Sequence, residues 1–283
     1  MDREQGFAIP RRAFVGTLVA GFTLAAGPVR ADAIVTDTSG LDAGEVSIPV
    51  ADGAIPAFRA RPAGKKDTAV VLVVQEVFGV HEHIKDLCRR LAHTGYYAIA
   101  PSLYARQGDP GKYDLAHVGD LISDIVAKVP DAEVMSDLDS AVAFAKGEGA
   151  DTARLAVTGF CWGGRIVWLY AAHNHAVKAG AAWYGPLAGT DSELRPRTAI
   201  ELAAEVKAPV LGLYAGLDEH ITAQNIEDMR KALAASGNTT SRIDVFADAQ
   251  HGFNADYRPS YNEKDAKEGW SRMLAWFKAN GVS

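Results

Sequence analysis

The segment that most restricts how this chain can fold is Gly159-Phe160-Cys161-Trp162-Gly163-Gly164, set between an apolar extended run ending at Thr158 and a helical run from Ile166 to Ala172. A strand that turns straight into a helix holds its central residue in a strained backbone conformation. The residues two positions to either side must then lack side chains to avoid collision. Glycines stand at both places of this G-x-C-x-G pattern. The helix that begins there adds its N-terminal dipole, which favours a thiolate and any oxyanion beside it. Cys161 therefore reads as an exposed nucleophile; the alternative is a structural cysteine buried in a glycine-rich turn.

Strand and helix alternate around that turn. Ala69 to Val74 is six apolar residues in a row, rich in β-branched side chains, as expected of a strand covered on both faces. Helical period follows from about His83 to Thr94, with Ile84, Leu87, Cys88 and Leu91 on one face and Gly95 after it, and Tyr96 to Ala100 reads as the next strand. Two helical patterns fill 115 to 146, separated by Pro130 with Asp131 as a cap. Strands at Arg154–Thr158, Ala179–Tyr184, Val210–Ala215 and Arg242–Phe246 then alternate with helices from Gly163, over 222–236 and from about Tyr261. Ahead of all this, Glu45–Val50 and Ile55–Ala60 flank Asp52-Gly53 as a hairpin. The expected fold is a single α/β domain over 45–283, a mostly parallel sheet with helices on both faces and a short N-terminal hairpin.

Composition narrows the partners. The 29 basic and 35 acidic residues give a net charge of −6, and no basic run is long enough to track a phosphate backbone, so nucleic acid is not an expected partner. With two cysteines, Cys88 and Cys161, neither a disulfide framework nor a cysteine-based zinc cluster can be built. Cys88 falls on the apolar helix face and is expected to pack there, which disfavours redox exchange with Cys161.

The first 33 residues form a separate unit. Residues 1–12 are charged and end in Arg11-Arg12, whereas residues 13–29 carry no charge and are thinned by Gly16, Gly21 and Gly27. That stretch is too short and weakly apolar for stable membrane insertion. Paired arginines, an apolar core and the small-residue site Ala31-Asp32-Ala33 read as a twin-arginine (Tat) export signal spanning 1–33. The export machinery is then a partner, and the mature chain a periplasmic or secreted protein. The alternative is an N-terminal helix that packs on the body or frays. Cleavage after Ala33 removes four basic and three acidic residues, leaving 25 and 32 and a net charge of −7.

A thiol nucleophile needs a base, and the base an orienting acid, which in such a fold follow in the order nucleophile, acid, histidine. Asp218 lies three residues past the strand end at Ala215, and His251 in the loop after the strand ending near Phe246. Both are at carboxyl ends of strands, where open parallel sheets place their sites. His220 is too close to Asp218 to reach around it. His81, His83, His173 and His175 sit at helix ends and read as solvated or capping residues, Asp244 alternates inside a strand, and Asp248 lies only three residues before the histidine.

With these residues in view, the chain resembles the dienelactone hydrolase (carboxymethylenebutenolidase) family of α/β-hydrolases, from about residue 45 to the C-terminus. Four segments carry the resemblance: Gln75-Glu76-Val77-Phe78-Gly79-Val80, Pro101-Ser102-Leu103-Tyr104-Ala105-Arg106, Gly159 to Gly164, and His251-Gly252-Phe253. It implies a triad of Cys161, His251 and Asp218 hydrolysing small lactones or esters through a thioester, with no metal or organic cofactor. It also implies that Glu76 lies beside the nucleophile and takes the thiol proton when substrate arrives. A partly buried carboxyl has a raised pKa and can exchange a proton with a thiol. The backbone N–H groups of Trp162 and Val77 are the expected oxyanion donors.

The resemblance frays at the substrate. Dienelactone carries a carboxylate that the family holds with arginines. The position four after the histidine is here Ala255, and the helical stretch Leu115 to Val129 contains no arginine. Arg106 and Arg258 stand as substitutes, with surface ion pairs as the alternative. Trp162, Trp183 and Tyr184 suggest an aromatic wall, with core packing as the alternative; Tyr104 is expected to bind substrate, and the long stretch from Pro186 to Glu205 could shape a lid. The missing arginines leave two other readings open: a hydrolase or acyl-transferase for other small esters or thioesters, and a non-catalytic binder using the same pocket.

Overall fold

The structure, a computed structural model, describes residues 33–189 and 192–283. The expected export signal therefore lies, up to residue 32, outside the described residues. Strand β1 (Leu41–Val50) turns at Ala51-Asp52 into β2 (Gly53–Pro62), in antiparallel register from Val50↔Gly53 to Leu41↔Pro62. This is the expected hairpin, lengthened at both ends. β2 pairs antiparallel with β4 (Tyr97–Pro101). From β4 onward all pairs are parallel, and the eight strands run β1-β2-β4-β3-β5-β6-β7-β8.

The new strands in that order are β3 (Ala69–Val74), β5 (Asp151–Phe160), β6 (Val177–Trp183), β7 (Val210–Ala215) and β8 (Arg242–Phe246). Successive side chains of a strand point to opposite faces. Every residue of β3, β4 and β7 is buried, so the middle of the sheet is covered on both sides, as the uninterrupted apolar runs require. The covering helices are α1 (Glu82–His93), α2 (Val118–Asp124), α3 (Asp131–Gly147), α4 (Trp162–His173), α5 (Ala223–Ala235) and α6 (Glu263–Ala279). Among the described residues, no helix is long and apolar enough to cross a membrane.

Two local expectations are corrected. The pattern over 115–129 is not one helix: the two-turn α2 is flanked by 3₁₀ turns at Leu115–His117 and Val126–Lys128. Asp131 does not cap α3, because Pro130 holds the extended N-cap position and Asp131 is already helical. Its carboxylate instead grips Arg165 through two bonds of 2.7 Å. Cys88 packs on the buried face of α1 with no exposure, and burial pushes its thiol up.

The strand order has one consequence for the site. β3 is followed in sequence by β4 on one side, and β5 lies on its other side, so the connections leave the carboxyl ends of β3 and β5 in opposite directions. Such a switch point opens a crevice. Gln75-Glu76-Val77 emerges from β3 there and Cys161 from β5.

Candidate active site

Cys161 closes β5 and precedes the first residue of α4 with φ of 53° and ψ of −119°, a left-handed conformation that side chains rarely adopt. Its N–H donates to the Trp183 carbonyl at 3.0 Å. The glycine requirement at this turn is steric and concerns backbone. A Cβ on Gly159 would meet the Gly163 carbonyl oxygen at 2.3 Å, and one on Gly163 would meet the Val74 and Gln75 carbonyl oxygens at 2.5 Å. Rather than standing exposed, Cys161 is 1% accessible and forms part of the floor of a cleft of about 330 Å³.

Asp218 and His251 converge on it. His251 Nδ1 lies 2.8 Å from Asp218 Oδ2, while Asp218 Oδ1 accepts from the backbone N–H groups of His220 and Ile221 at 2.9 and 3.1 Å. The imidazole also lies close enough to Cys161 for the two to interact electrostatically. Burial disfavours its protonated form, but the electrostatic pull of Cys161 and Asp218 and the bond to Asp218 outweigh that and raise its pKa from 6.5 to about 10. Burial likewise opposes the Asp218 carboxylate, yet His251 and the two backbone donors hold it below its usual range. The Tyr184 ring, centred 5.2 Å from that of His251, packs edge-on against it. This orders the three groups as sulfur, imidazole and carboxylate.

Glu76 follows β3 and is wholly buried. Its Oε2 accepts a short hydrogen bond from the Tyr257 hydroxyl and lies 3.5 Å from His81 Nε2, while Oε1 is 3.7 Å from Arg258 Nη2. Arg258 donates from Nε to the Tyr257 oxygen at 3.0 Å and lies over the Phe78 and Tyr257 rings at 5.3 Å. The expected rise in the Glu76 pKa is not found. Burial does push it up, but the charge of Arg258, the bond and charge of His81, and the charge of His83 reverse the direction and hold it well below the usual carboxylate range. His81 does hold the N-cap position of α1, but its side chain makes no capping bond and sits on Glu76, while His83, 3% exposed and neither solvated nor capping, faces Asp256 with Nδ1 at 3.1 Å.

The remaining expected residues divide. Val77 and Trp162, whose N–H groups were expected to hold an oxyanion, both line the cleft with Cys161. Trp162 is the first residue of α4, where a backbone N–H has no partner within the helix. Tyr104 is buried edge-on against Trp162, with ring centres 5.0 Å apart. Trp183 belongs to the core, stacked on Phe160 at 5.4 Å and pressed against Gly269, because the last residue of β6 points away from the cleft. Arg106 is committed elsewhere, with paired bonds of 2.7 Å to Asp52 and bonds of 2.8 and 3.0 Å to Asp137. Arg258 serves Glu76.

Pro186, Leu187, Arg195, Arg197 and Thr198 supply one wall, so the long stretch after β6 does shape the cleft. Arg165, Arg195, His220 and Asn225 had not been expected there. The Leu194-Arg195-Pro196-Arg197 cluster was the available signal, since two cations lie close together in a stretch expected to cover the site.

Comparison with known proteins shows the family. Residues 55–281 match the dienelactone hydrolase family. A protein of Methylorubrum extorquens named "Putative carboxymethylenebutenolidase" is 57% identical over 278 residues, covering 97% of this chain and 94% of that one. A Salmonella typhi protein of the same name is 52% identical over 262 residues, covering 92% and 96%. The crystal structure titled as that of a "Putative Dienelactone Hydrolase" from Klebsiella pneumoniae superposes with a TM-score of 0.81 at 53% identity, covering 84% of this chain and 98% of its own. The chain belongs to the dienelactone hydrolase family of the α/β-hydrolase superfamily and is a hydrolase of the carboxylic-ester class.

Proposed function

We propose that this hydrolase cleaves small lactones or esters of dienelactone type through a thioester on Cys161. What carries the reading is one observation: a left-handed cysteine lining the cleft, in electrostatic contact with an imidazole that is held in turn by a buried aspartate 2.8 Å away. With the shared proton already on His251, whose raised pKa favours the imidazolium, Cys161 Sγ attacks the carbonyl carbon. The oxyanion rests on the N–H groups of Trp162 and Val77, each such donor contributing about 3 kcal/mol to barrier lowering. The intermediate collapses with cleavage of the carbon–oxygen bond, and the leaving alkoxide or enolate takes the proton from His251. Water, deprotonated by His251, then attacks the thioester, and the acid departs as the carbon–sulfur bond breaks, with the proton kept on His251.

The thiol proton is assigned to His251 and not to Glu76, because a carboxylate held so far below its ordinary range has little proton affinity to offer. Glu76 acts instead as a buried anion that fixes Arg258, Tyr257 and His81 behind the site. Exchanging Cys161→Ala is expected to abolish turnover of lactones and aryl esters while leaving the fold intact. Near-normal rates in that variant would remove Cys161 as the nucleophile.

Residues 1–33 are proposed to direct twin-arginine export, with the mature enzyme in the periplasm. The intact mass of the exported protein tests this. A chain beginning near residue 34 is expected, and a periplasmic chain retaining Met1 would refute it.

A further inference from the structure

Three guanidinium groups reach the cleft, and two of them are neutralised. Arg165 is bonded twice at 2.7 Å to Asp131, and Arg197 pairs with Glu205 at 2.5 Å and donates to the Glu201 carbonyl at 2.9 Å. Arg195 differs. Its backbone is fixed by a reciprocal pair of 3.0 Å bonds with Ser192, its Nε is buried without an acceptor, and its side chain has no carboxylate partner among the described residues. The group shares the cleft lining with Cys161, and the Tyr104 hydroxyl feels the charge of both.

Arg195 is only partly buried, but its Nε is buried without an acceptor, and such a donor is costly unless something fills it. Burial and the like charge of Arg165 both act against protonated Arg195, and only Asp131 and Tyr104 pull the other way. An incoming anion would relieve that imbalance. The planar fork of a guanidinium matches a carboxylate through two parallel N–H bonds. With Arg165 and Arg197 already neutralised, one free cation suits a single negative charge better than a doubly charged phosphate.

We propose that Arg195 is the anion-binding residue of this cleft, and that the enzyme selects esters or lactones bearing a carboxylate near the scissile carbonyl. The assignment rests on Cys161 being the nucleophile. It moves the carboxylate-holding role away from Arg106 and Arg258, which are occupied by other acids, and onto the irregular segment after β6.

Alkylation of Cys161 separates the two ideas without needing a natural substrate. Its sulfur displaces iodide from iodoacetate, an anion, or from iodoacetamide, a neutral analogue, and both rates are followed by mass spectrometry of the Cys161 peptide. Relative to free cysteine in the same buffer, the iodoacetate-to-iodoacetamide rate ratio is expected to be raised in the wild type. Arg195→Gln is expected to lower it roughly 10- to 100-fold, the range of a hydrogen bond to a charged group, and Arg195→Lys to lower it less. A wild-type ratio no higher than that of free cysteine, or one that Arg195→Gln leaves unchanged, overturns the assignment.

Should Arg195→Gln fail to fold, the wild type alone decides. Benzoate is expected to protect Cys161 from iodoacetamide where benzamide at equal concentration does not, and equal protection refutes the proposal. A Cys161 inert to both reagents would bring down the nucleophile reading as well, whereas a reactive Cys161 with an indifferent ratio sinks only the role of Arg195.

Discussion

Replacing Arg258 by methionine isolates the energetics of the charge cluster behind the active site. Arg258 is 2% exposed and Glu76 not exposed at all, so the exchange keeps much of the side-chain volume but leaves a carboxylate buried without its cation. Breaking a buried pair from one side costs about 3 to 5 kcal/mol. The Tyr257 hydroxyl and His81 still contact Glu76, which places the expected loss toward the lower end of that range. For a chain of this size, that corresponds to a fall in melting temperature of about 6 to 20 °C. Urea titrations of the wild type, Arg258→Met, Glu76→Gln and the double variant form a closed cycle. The double variant is expected to be more stable than Arg258→Met alone, since removing the orphaned charge removes the penalty. The single variant is also expected to lose less at mildly acidic pH, where Glu76 takes up a proton more readily once its cation is gone. A loss below about 0.5 kcal/mol, the scale of an ordinary surface exchange, would rule out a buried-charge penalty at Glu76, as would a double variant no better than the single.

Other outcomes follow from the same geometry. Gly163→Ala drives a methyl group to 2.5 Å from two backbone carbonyl oxygens that cannot swing aside, so soluble expression or thermal stability should collapse; a melting temperature within a degree or two of wild type would contradict the tight turn. Asp218→Asn should leave the fold in place but lower kcat/KM by as much as about 10⁴-fold through loss of imidazole orientation, measured on an aryl ester. Because the folded-state pKa of His251 is raised from 6.5 to about 10, its contribution to stability is complete below pH 6.5 and is lost as pH climbs through 10. The wild type should therefore lose melting temperature over that window more steeply than His251→Gln, and parallel curves would speak against the raised pKa.

How much could be read from the chain varied with how local the cause was. The turn at Cys161 was legible because its demands lie within five residues: backbone approaching backbone leaves no room for a Cβ at Gly159 or Gly163. Asp218 and His251 were legible because a parallel sheet places strand ends on one edge, so position along a strand predicts location. Glu76 was found, but the direction of its pKa was misjudged. Burial alone is a fair guess for a carboxyl after an apolar strand, whereas Arg258, His81 and His83 reach it from a distant loop and from the start of α1, where spacing gives no warning. Arg106 failed for a similar reason, since its partners Asp52 and Asp137 come from the hairpin turn and from α3. Arg195 lies in an irregular segment without period, where no pattern assigns a direction to a side chain.

In the proposed mechanism the acyl group passes through the Cys161 sulfur. Acid-quenching the enzyme during turnover of a slow aryl ester, then determining peptide masses, tests it most directly. The acyl increment should appear on the peptide containing Cys161, accumulate in His251→Gln if acylation survives that exchange, and vanish in Cys161→Ala. Brisk turnover with the acyl group trapped on another residue, and the Cys161 peptide unmodified throughout, would exclude Cys161 as the acyl carrier.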